Sequence, residues 1–124
     1  METKRQKQVA EMVKRNFSMV LLDEGLNIYG PKALVTVTKV MMSPDLMLAK
    51  IYFSIFNTDH VQEPLMMMTE EKLRLRNALG QRIKKQVRVI PQILFFYDDT
   101  IEEMTNIDDL FRRIQNDEMG DTIQ

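Results

Sequence analysis

Between Ala33 and Phe56 the chain reads ALVTVTKVMMSPDLMLAKIYFSIF, two alternating runs separated by a Ser-Pro-Asp turn. In the first run, ALVTVTKV, Val35 and Val37 alternate with Thr36 and Thr38, the pattern of a half-buried strand built from β-branched residues. The second, LMLAKIYFSIF, sets Ala49, Ile51, Phe53 and Ile55 on one side and Lys50, Tyr52 and Ser54 on the other. Two such strands joined at Ser43-Pro44-Asp45 are expected to pair antiparallel. Their apolar side must then be covered, and the flanking sequence offers helices to cover it.

Ahead of the strands, Thr3 and Gln6 have the form of a capping box, and Val9, Met12, Val13, Phe17, Val20 and Leu21 recur at helical spacing. A first helix is expected from about residue 4 to 23, stopped by Gly25 and the Tyr29-Gly30-Pro31 connection. Beyond the polar stretch Asn57 to Glu63, a second helical region opens near Pro64 or Thr69 and closes near Gln86. Within it Leu75, Leu79, Ile83 and Val87 recur every four residues. Each such step rotates the stripe by about 40° on an ideal helix, and three steps by about 120°. A straight helix would not keep these four on one core face, so a bend or break near Gly80 and two shorter helices are expected. Pro91 cannot continue a helix, and QILFFYDD reads as a third strand with Ile93, Phe95 and Tyr97 opposite Leu94 and Phe96. Thr100 with Glu103 forms another capping box, and Ile101, Met104, Ile107, Leu110, Phe111 and Ile114 mark a C-terminal amphipathic helix. The closing NDEMGDTIQ is expected to fray.

The order α-β-β-α-α-β-α describes an α+β domain with helices against one face of a small mixed sheet. At 124 residues the chain suits one domain. Its body is expected over residues 1–116, with 117–124 as a flexible acidic tail. No run of 18 apolar residues occurs, and METKRQKQVAEM lacks the apolar core of a signal peptide, so a soluble cytoplasmic protein without a membrane segment is expected. The absence of Cys is consistent with a reducing compartment and removes thiol chemistry.

Groups suited to catalysis are few. The chain has one His, His60, beside Asp59 in a polar loop, where a solvated role outweighs zinc ligation. Gly30-Pro31-Lys32 lacks the spacing of a phosphate loop, and no G-x-G-x-x-G occurs. The pairs Asp98-Asp99, Glu102-Glu103 and Asp108-Asp109 suit capping and solvent-facing positions better than metal ligation. Neither enzyme activity nor a metal or cofactor is expected. Met66-Met67-Met68 and Met41-Met42 read as packing residues ahead of a docking patch.

Charge is the more informative feature. The net charge is only −1, yet residues 1–97 hold 15 Lys and Arg against 9 Asp and Glu, and residues 98–124 hold 2 against 9. Seven of the cations fall between Lys72 and Arg88. On a continuous helix Lys85 would lie about 20° from Arg74, Arg88 about 40° to the other side, and Arg82 and Lys84 about 80° to either side. Such a face, joined by Lys4, Arg5 and Lys7 and by Lys14 and Arg15 of the first helix, suits a row of phosphates. A solvated helix face is the plainer alternative. Few aromatic residues lie among these cations, which favours backbone and shape recognition over base stacking.

The segments VTVTKVMMSPDLMLAKIYFSIF and VRVIPQILFFYDDTIEEMTNIDDL resemble bacterial ribosome-binding factor A, most specifically at Ser43-Pro44-Asp45-Leu46, Ala49-Lys50-Ile51-Tyr52, Arg88, Pro91, Phe95 and Asp98. The resemblance covers nearly the whole chain. It implies a type II KH-like fold, α-β-β-α-kink-α-β with the added C-terminal helix, in which an Ala-x-Gly kink replaces the Gly-x-x-Gly clamp of other KH domains. No Gly-x-x-Gly occurs in this chain, and Ala78-Leu79-Gly80 has the Ala-x-Gly pattern, which places the kink at Ala78 and Gly80. That pattern lies nearer the Pro than the usual family kink, and its match to a later Leu-Gly of the second helix stays open.

The implied function is that of a non-enzymatic factor active in cold adaptation; nothing in the sequence demands a dimer, and a monomer is expected. It would bind the free small (30S) ribosomal subunit and assist 16S rRNA maturation near the 5′ end. Contacts to rRNA are expected from Lys4, Arg5, Lys7, Arg74, Arg82, Lys84, Lys85 and Arg88. A generic single-stranded RNA-binding KH module and a protein-interaction adaptor using the Met-rich segment and acidic helix are the rival readings.

Overall fold

The computed structural model describes residues 2–99. The expected C-terminal helix, the acidic tail and the boundary at 116 lie outside the described residues. Those described follow the order α1 Lys4–Tyr29, β1 Leu34–Met42, β2 Leu48–Phe56, α2 Gln62–Glu70, α3 Lys72–Ile83 and β3 Gln92–Tyr97. The sheet runs β1-β2-β3, with β1 and β2 antiparallel and β2 and β3 parallel. Parallel neighbours need a crossover. Here α2 and α3 provide it, packing back over the sheet.

All three helices cover one face. Val37, Val40 and Met42 of β1, Ala49, Ile51, Phe53 and Ile55 of β2 and Ile93 of β3 are buried beneath them. Val9, Val13, Phe17 and Val20 of α1 complete the core together with Met68, Leu75, Leu79 and Ile83. The Phe17, Phe53 and Phe95 rings meet pairwise at 5.5–6.0 Å, tilted or edge-on, so the centre of the sheet is locked to α1 by directional ring contacts as well as by apolar area. The strand alternation inferred from the sequence is the one observed.

The capping box is also as expected. Thr3 Oγ1 accepts from the Gln6 backbone N–H at 3.1 Å, and Gln6 Oε1 accepts from the Thr3 N–H at 2.8 Å. The same Gln6 is buried and donates from Nε2 to the Met42 carbonyl at 2.9 Å, so this cap also fixes the start of α1 to the end of β1.

Three expectations need correction. First, α1 does not stop before Gly25. That glycine is buried within the helix with the Tyr29 ring packed over it, and the stop comes at Gly30, whose φ of 85° an L side chain would resist. Second, the helical region breaks at Glu71, where φ is −100° and ψ 22°, and not at Ala78 or Gly80, both of which lie inside α3. No kink is needed there because α3 ends at Ile83. Only Leu75, Leu79 and Ile83 share the helix, so the stripe drifts through two steps, about 80°, a width one helix face can bury. Gly80 is an interior position of α3, with Ile90 at ordinary van der Waals distance from where a Cβ would stand. Third, the same early end removes the continuous helix on which the angles among Arg74, Lys84, Lys85 and Arg88 rest. Lys84 to Gln86 form a turn, and Arg88 stands in the loop before β3.

The methionines divide. Met42 and Met68 are buried, whereas Met41 and Met66 are exposed.

Candidate nucleic-acid interface

Two bonds orient the basic region. Arg74 near the start of α3 meets Glu24 late in α1, with Nη2 2.6 Å from Oε1, and Arg82 near the end of α3 donates from Nε to Asn16 Oδ1 at 3.3 Å. The two helices therefore run antiparallel, and the chain leaving α3 heads back toward the start of α1. Where they meet, a cleft of about 360 Å³ opens, lined by Arg5 of α1, by Asp45, Leu46 and Met47 of the β1–β2 turn and by Val87, Arg88 and Val89 of the loop before β3. Arg5 and Arg88, remote in sequence, thus share one groove.

Each wall is rigid for a traceable reason. In the turn, Asp45 Oδ1 accepts from the Ser43 hydroxyl at 2.7 Å and from the Met47 N–H at 3.0 Å, and Ser43 Oγ accepts in turn from the Leu48 N–H. Pro44 sets the turn's backbone, and Leu46 takes a φ of 63° at its apex. The Ser43 hydroxyl, and then the Met47 amide, hold the Asp45 carboxyl below its ordinary pKa. On the opposite wall the half-buried Arg76 clamps the loop, donating from Nη2 to the Ile90 carbonyl at 2.8 Å and from Nε to the Pro91 carbonyl at 2.9 Å. Gln92 N–H donates to the Met47 carbonyl at 2.8 Å, which joins the two walls. Val87 and Ile90 pack on the core, and between them Arg88 and Val89 are presented outward.

The cations named from the sequence differ in how far they are available. Lys4, Arg5 and Lys7 are exposed in the first turns of α1, where no acidic residue offsets the positive end of the helix dipole. These three, with Lys85 and Arg88, make no ion pair with another described residue. Among the described residues Lys84 donates only to Gln81 Oε1, at 3.1 Å. Arg74 is different. Glu24, and secondarily Glu71 at 3.5 Å, balance its charge and raise its guanidinium above the ordinary pKa. Cationic character therefore grows along α3 toward the α1 N-terminus. Sequence reasoning found the residues of this cluster but did not place Asp45 on the groove, where it is the one carboxylate among the described lining residues. Its signal was the Ser-x-Asp spacing that builds the turn.

Among the described residues no cluster of His, Cys, Asp or Glu could hold a metal ion, and no helix is long and apolar enough to cross a membrane.

A three-stranded mixed sheet backed by an α-β-β-α-α-β chain, with cations gathered at one end of its helical layer, defines the class: a KH-like domain of type II order. Within that class the relationship is specific. The family model for ribosome-binding factor A matches residues 5–111. A protein of Cytophaga hutchinsonii named ribosome-binding factor A is 36% identical over 114 residues, covering 92% of this chain and 85% of its own length. One of Brevibacillus brevis with the same name is 36% identical over 111 residues, covering 88% of each chain. The crystal structure of ribosome-binding factor A from Thermus thermophilus superposes with a TM-score of 0.57 at 23% identity, over 73% of this chain and 92% of that one. Coordinates for the Thermus protein fitted into a cryo-EM map of its 30S complex match equally, with a TM-score of 0.57 at 23% identity, over 73% of this chain and 91% of that one. The chain belongs to the ribosome-binding factor A family.

Proposed function

We propose that this chain binds the free small (30S) ribosomal subunit and assists late maturation of 16S rRNA near its 5′ end, without catalysing a reaction itself. The observation that carries this reading is the convergence of Arg5 and Arg88 on one rigid groove. Lys4, Lys7, Lys84 and Lys85 extend the basic surface on the same two elements, in a family whose members are named for ribosome binding.

Guanidinium and ammonium groups on a fixed frame meet phosphates at low entropic cost, and each contact releases condensed counterions. Such a surface selects the RNA conformation whose phosphates match its spacing. Binding therefore shifts the rRNA population toward that conformer, and no bond need be made or broken. Arg74, already neutralised by Glu24, contributes least. The factor acts as a monomer in the cytoplasm, where small subunits mature, and matters most in the cold, when misfolded RNA states are slow to escape.

The test is sedimentation. Tagged protein should travel with free small subunits and be absent from assembled ribosomes, and it should bind short single-stranded RNA far more weakly than the subunit. Equal affinity for an isolated oligonucleotide would instead identify a generic single-stranded RNA module.

A further inference from the structure

The groove that carries Arg5 and Arg88 holds two features for which phosphates alone have no use. One is apolar. Met47 and Val89 are 47% and 50% exposed, and with Leu46 and Val87 they line the same cleft. The other is Asp45, a carboxylate among cations. Its Oδ1 is committed to the turn through the Ser43 hydroxyl and the Met47 N–H, while Oδ2 bonds no other described residue. Arg5 and Arg88 line the cleft with it, yet among the described residues neither forms an ion pair with Asp45. The donors of the turn favour the charged form of the carboxyl, so it is ionised at neutral pH. A row of phosphates is repelled by such a group and gains little from exposed aliphatic side chains. A nucleobase uses both.

Bases differ in what they offer an acceptor. On its Watson–Crick edge guanine presents two adjacent donors, N1–H and the N2 amino group. Uracil has one N–H between two carbonyls, and adenine and cytosine set an acceptor ring nitrogen beside the amino group. Those lone pairs face a carboxylate unfavourably. The size of the cleft, about 360 Å³, is at the lower end of the range for small-ligand sites, about 300–1,000 Å³, and suits one nucleoside.

We infer that the groove takes one unpaired guanosine of an RNA strand, its base against the aliphatic walls and donating to Asp45, with Arg5 and Arg88 on the flanking phosphates. The inference rests on the proposed binding of ribosomal RNA and adds to it a choice of base. Phosphate contacts position a strand, whereas an acceptor aimed at a base edge specifies it. The acceptor is fixed before RNA arrives, since Ser43 and Met47 hold Asp45, and the Gln92 bond to the Met47 carbonyl ties that wall to the other.

The probes are the pentanucleotides UUGUU, UUAUU, UUCUU and UUUUU, titrated to millimolar concentration against the full chain while NMR follows the amides of Leu46, Met47, Arg88 and Val89. UUGUU should bind about fivefold or more tightly than the other three. GMP, which brings one phosphate to two arginines, should bind more weakly than UUGUU. Asp45→Asn keeps an oxygen for the Ser43 and Met47 bonds but turns the free acceptor into a donor. It should abolish the preference for guanine and leave the Met47 amide shift of the free protein in place. Arg5→Gln should weaken all four pentanucleotides alike and preserve their ranking. A native chain that binds small subunits with salt-dependent affinity, yet treats the four probes alike or responds to none, would overturn the guanosine site and leave the proposed function standing. Failure to bind subunits would remove both. A guanine preference that survives Asp45→Asn would also overturn the inference, as would GMP binding as tightly as UUGUU, because the occupant would then be a free nucleotide.

Discussion

Replacing Gly80 with Ala separates two accounts of the helix that carries the basic segment. Were Gly80 a kink, a side chain there would force the backbone out of its bend, and the variant would lose stability. In this structure Gly80 is an interior position of α3, and an added Cβ would stand 3.4, 3.5 and 3.6 Å from Ile90 Cγ1, Cγ2 and Cδ1, ordinary contact distances. Alanine exceeds glycine in a helix interior by about 0.5–1 kcal/mol, and a buried methyl adds up to about 0.8 kcal/mol if Ile90 need not move. Allowing for some adjustment at the 3.4 Å contact, the net expectation is about 1 kcal/mol of added stability, a rise of about 4 °C in Tm for a domain of this size. Urea titration followed by far-UV circular dichroism would report it as a higher midpoint at unchanged slope. A loss of about 1 kcal/mol or more would refute the reasoning and return the bend to Gly80.

Other positions give sharper local tests. Thr38 is the extra residue of the bulge between Val37 and Lys39, and its hydroxyl donates to the buried Asp98 carboxylate, so Thr38→Val should cost about 1–3 kcal/mol in chemical denaturation. Arg74→Gln should leave the denaturation midpoint almost unchanged, because its ion pair is solvent-exposed, and should barely alter RNA affinity. The Asp45 carboxyl should titrate below the ordinary value of about 3.9 for its type. A depressed acid contributes stability that is present above its unfolded value and lost as pH falls through its folded one. The Met47 amide should therefore keep its bonded chemical shift until pH passes below that value, and a midpoint at or above it would contradict the turn described.

The strands were legible because each buries one side beneath the helices, so Ala49, Ile51, Phe53 and Ile55 leave a period of two. The Thr3 and Gln6 cap was legible for a similar reason, since its chemistry is local. The helix boundaries were not. Gly25 and Gly80 look like breakers, but both lie inside helices: the Tyr29 ring occupies the space a Cβ at Gly25 would take, and Gly80 packs beside Ile90 with room for one. The real break, at Glu71, carries neither Gly nor Pro. It is set by how α2 and α3 must each lay a stripe on the same sheet, which is tertiary information. Of the candidate interface, residue identity was readable from charge density alone. The groove between Arg5 and Arg88 was not, because it depends on α1 and α3 running antiparallel. Nor was the neutralisation of Arg74, whose partner Glu24 is fifty residues away.

The central claim is tested most directly by the salt dependence of small-subunit binding, measured for the native chain and for Arg5→Glu with Arg88→Glu. Each lost phosphate contact removes about 0.7–0.9 from the slope of log affinity against log salt, so the double variant should bind more weakly with a slope shallower by about 1.5. An unchanged affinity and slope, in a variant that unfolds like the native protein, would mean that the groove does not face RNA.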